Sequence, residues 1–366
     1  MGKRCLLIGS SAACVSAPWT GDRVTCIVAA SLRHFGPGTG RPTSEFLHIR
    51  RSRQRERDCS GNGCSELMEF GERVSEEALK RLTTRVKAGE CILFLGAGVH
   101  APPPPGAPYT YPEEERLPLG KKLAELLSQD YGFGKKFPEE LPGDLQRVSL
   151  YIETTDGLGR NALVGSMRDY LRKGKKPSPA VQMLAELPFK IIVTTNYDAL
   201  LESALRMCNK VPNVIVYNPS TDEPTPDPPE DPTAERPLLF KMHGDLEKGN
   251  SVVITDEDYI TFVQRMSDKE AQHPVPQTVR YRMKRWPTLF AGYSLRDYNL
   301  RLLFRTLRWR IDPADLPPAF SVDRNPDPLI LKVLQEKLKF ITFVAQDLWT
   351  FVPWLFKEVR EREYPA

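Results

Sequence analysis

Short, strongly apolar runs alternate along the chain with stretches whose apolar positions recur at helical spacing. The clearest runs are CILFL (91–95), KIIVTTNYD (190–198), LLFKMHGD (238–245) and WPTLFAGYSL (286–295). Apolar runs of about four to eight residues are typical of parallel strands that are buried on both faces. Helical periodicity between them, as at 119–132, indicates crossover helices. The pattern predicts an α/β fold, a Rossmann-like doubly wound parallel sheet with helices on both faces.

Weaker runs extend this predicted sheet. VIVY (214–217), SVVIT (251–255) and KLKFITFVAQ (337–346) predict further strands, and residues 297–309 predict a helix. The segment 218–237 is rich in Pro, Asp, Glu and Thr, which predicts an exposed loop.

The first 67 residues differ from the rest of the chain. They contain ten Lys and Arg against five Asp and Glu, so the net charge of +4 arises there and the remainder carries −1. They also hold five of the seven cysteines and show no apolar periodicity, so we do not expect them to bury a core. We predict that 1–67 is an unstructured or non-native N-terminal extension and that 68–366 is the folded domain, with a core at about 84–348.

Two origins of this extension are considered. Lys3 and Arg4 precede a short apolar stretch that ends in small residues, a weak match to a signal peptide. The Arg-rich sequence that follows favours instead a disordered extension, or a start codon chosen too early, with Met68 as the natural start.

Cysteine spacing and hydropathy argue against several protein classes. No CxxC pair occurs in the sequence, so neither a zinc ribbon nor a redox dithiol is expected, and no metal site is predicted. Cys91 begins an apolar strand, where we expect a buried thiol, and this cysteine usage fits a reducing cytoplasm. No apolar run approaches the roughly 20 residues of a membrane-spanning helix. The charge of the folded part gives no indication of direct nucleic-acid binding.

The turn FLGAGVH, which follows the strand at 91–95, is the first candidate binding site. Gly96 and Gly98 around Ala97 would let the backbone approach a pyrophosphate and direct N–H groups towards it. A tight turn without a ligand explains the same residues equally well. The turn also departs from the GxGxxG pattern, because four prolines from Pro102 follow where a helix would begin.

Polar residues crowd the end of the strand at 190–198. Thr194, Thr195, Asn196 and Asp198 stand together in TTNYD. Asn or Asp at a strand-to-helix turn is commonly a helix N-cap, and we expect one of the two to cap. Capping does not require four polar residues together, so the cluster is also a candidate site.

His243 follows a short apolar strand and precedes Gly244, which predicts a turn at the edge of the sheet. With an ordinary pKa of about 6.5, a histidine in that place suits a proton acceptor. The remaining histidines lack such a setting, and we expect no catalytic role for them: His34, His48, His100 and His273.

The sequence AGYSLRD forms the fourth candidate turn. Gly292 allows another close backbone approach, Ser294 adds a hydroxyl, and Asp297 can cap the next helix or bind a ribose hydroxyl. This is not the GxSxG nucleophile elbow, because Leu295 and Arg296 follow the serine.

Taken in chain order, these four motifs resemble the sirtuins, and more closely the bacterial sirtuin-like proteins of anti-phage defence. VITDEDY (253–259) fits the same pattern, and its Thr255 can cap a helix together with Asp258. The resemblance spans about 265 of the 366 residues. It implies that Asn196 and His243 are the catalytic pair at the nicotinamide ribose. It implies these contacts with NAD: Gly96, Ala97 and Gly98 at the phosphates, Asp198 at the nicotinamide end, Gly292 and Ser294 at the adenosine half, and Thr195 and Asp297 as further binding residues.

Two departures refine what the resemblance implies. Deacetylating sirtuins carry a four-cysteine zinc module and a GIPDFR-like stretch, and this sequence has neither. The resemblance therefore favours metal-free hydrolysis of NAD, as substrate, to nicotinamide and ADP-ribose, in defence by NAD depletion. NAD-dependent protein deacylation, ADP-ribosyl transfer and a non-catalytic NAD- or nucleotide-sensing module stay open as alternatives. His100 stands where the defence branch has Ser, which puts one phosphate or capping contact in question. A homo-oligomer, and control by a helicase-type ATPase or an Argonaute-like protein, are also implied.

Overall fold

The apolar runs form one parallel sheet. The computed structural model describes residues 74–220, 223–266, 273–293, 295, 316–337 and 341–365, all of which fall in the unit Asn62–Ala366. The strands in these ranges are β1 (Ile92–Leu95), β2 (Ile191–Thr194), β3 (Asn213–Val216), β4 (Leu238–Lys241), β5 (Thr288–Ala291), β6 (Ala319–Val322) and β7 (Thr342–Val344). They pair in the order β3-β4-β2-β1-β5-β6-β7, and every pairing is parallel.

Helices connect these strands. Over the described ranges they are α1 (Glu76–Lys87), α2 (Gly120–Tyr131), α3 (Phe133–Lys136), α4 (Leu145–Thr154), α5 (Gly159–Arg172), α6 (Pro179–Glu186), α7 (Leu200–Met207), α8 (Asp256–Met266), α9 (Gln277–Met283), α10 (Pro328–Leu331) and α11 (Leu348–Arg360). None of these described helices is both long and apolar enough to cross a bilayer.

The core lies on both faces of the sheet. In β1, Leu93 packs against α1, α6, α7 and α11, whereas Phe94 packs in a second cluster with α8 and α9. Alternate residues of a strand point to opposite faces, and both of these are at most 1% exposed, so β1 is covered on both sides. The strand order changes direction at β1, with β2 and β5 on its two sides. The predicted Rossmann-like doubly wound fold is confirmed.

Helices α2, α4 and α5 form a third hydrophobic cluster of their own. Leu127, Ile152 and Met167, one from each helix, are fully buried in it. Leu246 and Ile254, which follow β4 in the chain, pack into the same cluster. These helices therefore cover the loops beyond the carboxyl end of β4.

One local prediction is wrong, and one strand was missed. SVVIT is not a strand: Gly249–Ser251 is a 3-10 helix, and the Val253 carbonyl accepts a hydrogen bond from Tyr197 instead of a sheet partner. The missed strand is β6, whose AFSV run is only four residues long and is interrupted by the polar Ser321. The segment 218–237 contains no helix or strand among its described residues, as predicted. The predicted extension 1–67 and the helix 297–309 lie outside the described residues.

Candidate active site

The register of the sheet brings the candidate turns to one edge. Leu95 pairs with both Thr194 and Ala291, and Thr194 pairs with Lys241. The turns after β1, β2, β4 and β5 therefore begin at the same level. This carboxyl edge, next to the strand where the order reverses, is where open α/β sheets bind ligands.

A cavity of about 260 Å³ lies at this edge. Its polar lining comes mainly from the turns: His100, Thr195, Asn196, Tyr197, Asp198, His243, Tyr259 and Tyr293. Most of its other lining residues are apolar: Ala97, Leu117, Pro118, Leu119, Leu123, Leu145 and Leu171. Apolar walls with a few convergent polar groups are typical of small-molecule sites.

Hydrogen bonds fix the backbone of the TTNYD turn. The Thr194 hydroxyl donates to the Leu95 carbonyl at 3.0 Å and accepts from the Asn196 N–H at 3.0 Å. Asp198 Oδ1 accepts from the Leu200 N–H at 2.9 Å, at the start of α7. The N-cap position of α7 is Ala199 and makes no side-chain cap, so the expected N-cap in this cluster is not found; Asp198, one residue earlier, instead accepts from the first N–H of the helix.

The Asn196 side chain plays no such structural part. Its Oδ1 atom is buried and has no hydrogen-bond partner among the described residues. Because a buried polar atom without a partner costs free energy, such groups mark places where a ligand or water completes the hydrogen bonding. Asn196 lines the cavity.

His243 is held by aromatic rings and by its own backbone. Its ring lies perpendicular to those of Tyr259 and Phe262, with centroid distances of 5.2 and 5.5 Å. The Tyr259 hydroxyl is 3.5 Å from His243 Nδ1, and the His243 carbonyl accepts from the Val253 N–H at 2.9 Å. Burial lowers the pKa of His243 to about 3. The imidazole is therefore neutral at physiological pH.

The turn after His243 requires glycine. Gly244 has a φ of +88°, and a Cβ there would lie 2.1 Å from the Ser251 carbonyl oxygen.

The chain then enters α8, where the Thr255 hydroxyl accepts from the Asp258 N–H and Asp258 Oδ2 accepts from the Thr255 N–H. This is the predicted capping pair, and it fixes the helix that carries Tyr259 against His243.

The glycines of the first and fourth turns pack against each other. The N–H groups of Gly96 and Gly98 donate to the carbonyls of Ala291 and Gly292 at 3.0 and 2.9 Å. A Cβ on Gly98 would lie 2.7 Å from the Gly292 oxygen, and one on Gly292 would lie 2.3 Å from the Val99 nitrogen. Close approach of two loops therefore explains these glycines. Of the first turn's candidates, only Ala97 lines the cavity.

A buried lysine, which the sequence analysis missed, joins the second and third turns. Lys241 is fully buried, and its Nζ donates to Glu202 at 2.9 Å, to Asp245 at 2.7 Å and to the Asp198 carbonyl at 2.7 Å. Burial opposes its charge, but the two carboxylates raise the pKa of Lys241. The only signal in the sequence was a lysine inside the apolar run LLFK.

Comparison with known proteins finds a family that matches part of the chain. Residues 190–342, from the start of β2 to the start of β7, match the family model of the SIR2-like domain. This part of the chain is therefore similar to SIR2-like domains.

Several curated proteins are similar to the chain. "Defense-associated sirtuin 2" of Bacillus subtilis is 26% identical over 278 residues, which is 72% of this chain and 25% of that protein. "NAD(+) hydrolase ThsA" of Enterococcus faecium is 26% identical over 63% of this chain and 42% of its own length. The protein of the same name from Bacillus cereus is 30% identical over 64% of this chain and 43% of its own length. The chain thus spans a quarter to about two fifths of these relatives.

The candidate site also contains His100, for which no catalytic role was expected. His100 is 2% exposed, lines the cavity, and its Nδ1 has no hydrogen-bond partner among the described residues. Its position directly after GAGV was the signal that could have indicated this.

The structure describes only some of the other candidate positions. Ser294 and Asp297 are outside the described residues. His273 lies outside the cavity and its Nδ1 accepts from the Val275 N–H.

Across the described ranges, no group of three or more metal-ligating side chains is present. Cys91 is fully buried, as expected, and burial raises the pKa of its thiol.

Proposed function

We propose that this protein is an NAD glycohydrolase that cleaves the bond between nicotinamide and ribose, and that it acts in anti-phage defence by NAD depletion. One observation supports this most directly: Asn196, with its unpartnered Oδ1, and a neutral His243 line the same cavity at the carboxyl edge of the sheet. The similarity to proteins named "NAD(+) hydrolase ThsA" and "Defense-associated sirtuin 2" supports the same reaction and setting.

The cavity fits the nicotinamide end of NAD. Apolar side chains such as Leu117, Leu119 and Leu123 offer a surface for the flat pyridinium ring. The carboxylate of Asp198 lines the same cavity and supplies a negative charge near that cation. The unpartnered Asn196 Oδ1 offers an acceptor for a ribose hydroxyl or for the attacking water.

The proposed chemistry needs little acid–base strength from the protein. The C1′–N bond breaks and its electron pair goes to the pyridine nitrogen, so nicotinamide leaves as a neutral molecule. Water then forms the new C1′–O bond to an oxocarbenium-like ribose and loses a proton. A water bound to that cation is already acidic, so a weak acceptor is sufficient.

His243 suits this limited role. With a pKa of about 3 it is a poor base but remains a neutral hydrogen-bond acceptor at pH 7. Tyr259 and Phe262 fix the plane of its ring. We infer that His243 orients the water or a ribose hydroxyl, and that exclusion of bulk water and positioning supply most of the rate.

The wider setting is part of the same proposal. An unrestrained NAD glycohydrolase would empty its host of NAD. We therefore propose that the protein acts in the cytoplasm, and that its activity is controlled through assembly into a homo-oligomer or through a defence partner of the helicase-type ATPase or Argonaute-like kind. High constant turnover by a purified monomer would contradict this control.

The reaction is tested with the purified full chain and NAD, by chromatographic measurement of both products. Hydrolysis predicts nicotinamide and free ADP-ribose in equal amounts. Nicotinamide release with ADP-ribose bound to protein, or as an O-acyl ester in the presence of an acylated peptide, would indicate transfer or deacylation instead. NAD binding without consumption, in monomer and oligomer fractions alike, would indicate a sensing module.

A further inference from the structure

We propose that His100 is a ligand-binding residue of this cavity and hydrogen-bonds the carboxamide of the nicotinamide group. This inference rests on the proposed use of NAD and extends it to a residue outside the four motif assignments. His100 Nδ1 and Asn196 Oδ1 are both buried and have no partner among the described residues, and both residues line the one cavity.

A purely structural role does not explain His100. A buried histidine that serves the fold satisfies its ring nitrogens, as His273 does when its Nδ1 accepts the Val275 N–H at 3.0 Å. His100 is 2% exposed, yet its Nδ1 has no such partner in the described part of the chain. The nearby serine hydroxyl, Ser178 Oγ, donates to the Val99 carbonyl instead. The imidazole therefore keeps one polar atom for a ligand.

The groups around His100 determine which kind of chemical group can bind there. The carboxylate of Asp198 lines the same cavity and acts electrostatically on the ring. A carboxylate in that place repels phosphate, and the buried, neutral imidazole brings no positive charge to offset the repulsion. An uncharged group that both donates and accepts fits better, because its N–H can donate to Asp198 while its carbonyl or its second N–H bonds to His100.

A primary carboxamide on a flat ring has this combination. The apolar residues Leu117, Leu119 and Leu123 line the cavity together with these polar groups. A pyridine ring can lie against them while its carboxamide reaches Asp198 and His100. In this arrangement His100 discriminates nicotinamide from rings without an amide, since loss of the amide leaves two buried polar groups unpaired.

The test uses three replacements of one side chain. His100→Asn keeps a polar atom near the position of Nδ1, His100→Gln places one near Nε2, and His100→Ala has neither. Binding of nicotinamide and of ADP-ribose to the full chain is measured separately by isothermal titration calorimetry. His273→Asn is the matched control, because His273 is also a buried histidine but lies outside the cavity.

We expect His100→Ala and His100→Gln to weaken nicotinamide binding by about five- to tenfold, because this is what one hydrogen bond contributes to the affinity. His100→Asn should stay within about twofold of the parent, and ADP-ribose affinity should be unchanged throughout. Equal nicotinamide affinity in the parent and in all three variants would overturn the inference. So would a loss confined to ADP-ribose, which would assign the contact to phosphate or ribose.

The outcomes also separate this inference from the proposed reaction. If the parent binds nicotinamide through His100 but releases none from NAD in monomer and oligomer fractions alike, the hydrolysis proposal fails and the inference stands. If the parent hydrolyses NAD but nicotinamide affinity does not depend on His100, the inference alone fails. Should His100→Ala not fold, the comparison of His100→Asn with His100→Gln decides, because both keep a polar side chain.

Discussion

Lys241 Nζ lies 2.9 Å from Glu202 Oε1, and both side chains are almost completely shielded from solvent. The pair joins β4, which ends two residues before His243, to α7, the helix that follows the Asn196 turn. The same ammonium group donates to the Asp198 carbonyl and to Asp245. It therefore holds the two turns that provide the proposed catalytic pair, from inside the protein.

Replacement of Lys241 by Met should destabilise the fold by about 3–5 kcal/mol, because it leaves buried carboxylates without a counter-charge. The measurement is chemical denaturation of the parent and the variant. The double variant with Glu202→Gln should recover part of the loss. The exposed pair Arg236 and Glu230 provides the control, since Arg236→Ala should cost less than about 1 kcal/mol. Equal losses at the two sites would contradict a structural role of the Lys241 pair.

Asn196→Ala should leave the melting temperature unchanged or raise it. The Oδ1 of Asn196 is buried without a partner among the described residues, so its removal relieves a cost of about 1–3 kcal/mol and breaks no internal hydrogen bond of that atom. Differential scanning calorimetry of the two proteins tests this. A fall of several degrees would show that Asn196 serves the fold and would count against its assignment to ligand binding.

Acid should destabilise the protein through two histidines whose pKa values the fold lowers. Burial lowers the pKa of His243 to about 3 and that of His273 to about 4. A histidine in the unfolded chain has a pKa of about 6.5, so below this pH the unfolded chain takes up protons that the folded chain does not. The contribution of these histidines to the free energy of unfolding is therefore complete above pH 6.5, and it is lost as the pH falls towards their pKa values in the folded protein.

Comparison with a variant isolates one of these histidines. His273→Asn can still accept the Val275 N–H but cannot titrate in this range. Between pH 7.5 and 5.0 it should lose about 1–2 kcal/mol less stability than the parent, given about 1.4 kcal/mol per pH unit for a shifted group. Denaturation at the two pH values measures this, and identical losses would show that His273 titrates normally.

We also propose that residues 1–67 are dispensable for folding. They hold most of the positive charge and show no apolar periodicity. A chain that begins at Met68 should express as well as the full chain and melt at the same temperature. A fall of many degrees in the shortened chain would contradict this division of the chain.

The sequence predicted the parts of this fold that depend on local pattern. The strands β1, β2, β4 and β5 are buried on both faces, and their sequences are short apolar runs between helical segments, so length and position identified them as strands. The turns after them could be predicted to meet, because parallel strands end at the same edge. Strand β6 was not predicted, because its four residues include Ser321 and do not form a continuous apolar run.

Features that depend on long-range contacts could not be predicted. The contact between Lys241 and Glu202 links residues 39 positions apart, and neither residue type indicates burial. His100 looked structural because nothing local shows that its Nδ1 lacks a partner. The reason for glycine at position 98 could not be predicted either, because a Cβ there would clash with the backbone of Gly292, which is distant in the sequence.

The central claim concerns Asn196 and His243, and the most direct measurement is the rate of nicotinamide release from NAD by the full chain. Asn196→Ala and His243→Ala should each lower this rate by a factor of about 10² or more, because each removes a positioned polar group of the cavity. Both variants should keep the parent's circular dichroism spectrum, and His273→Asn should stay within a few-fold of the parent rate. Normal nicotinamide release by folded Asn196→Ala and His243→Ala variants would place the active site elsewhere and contradict the account.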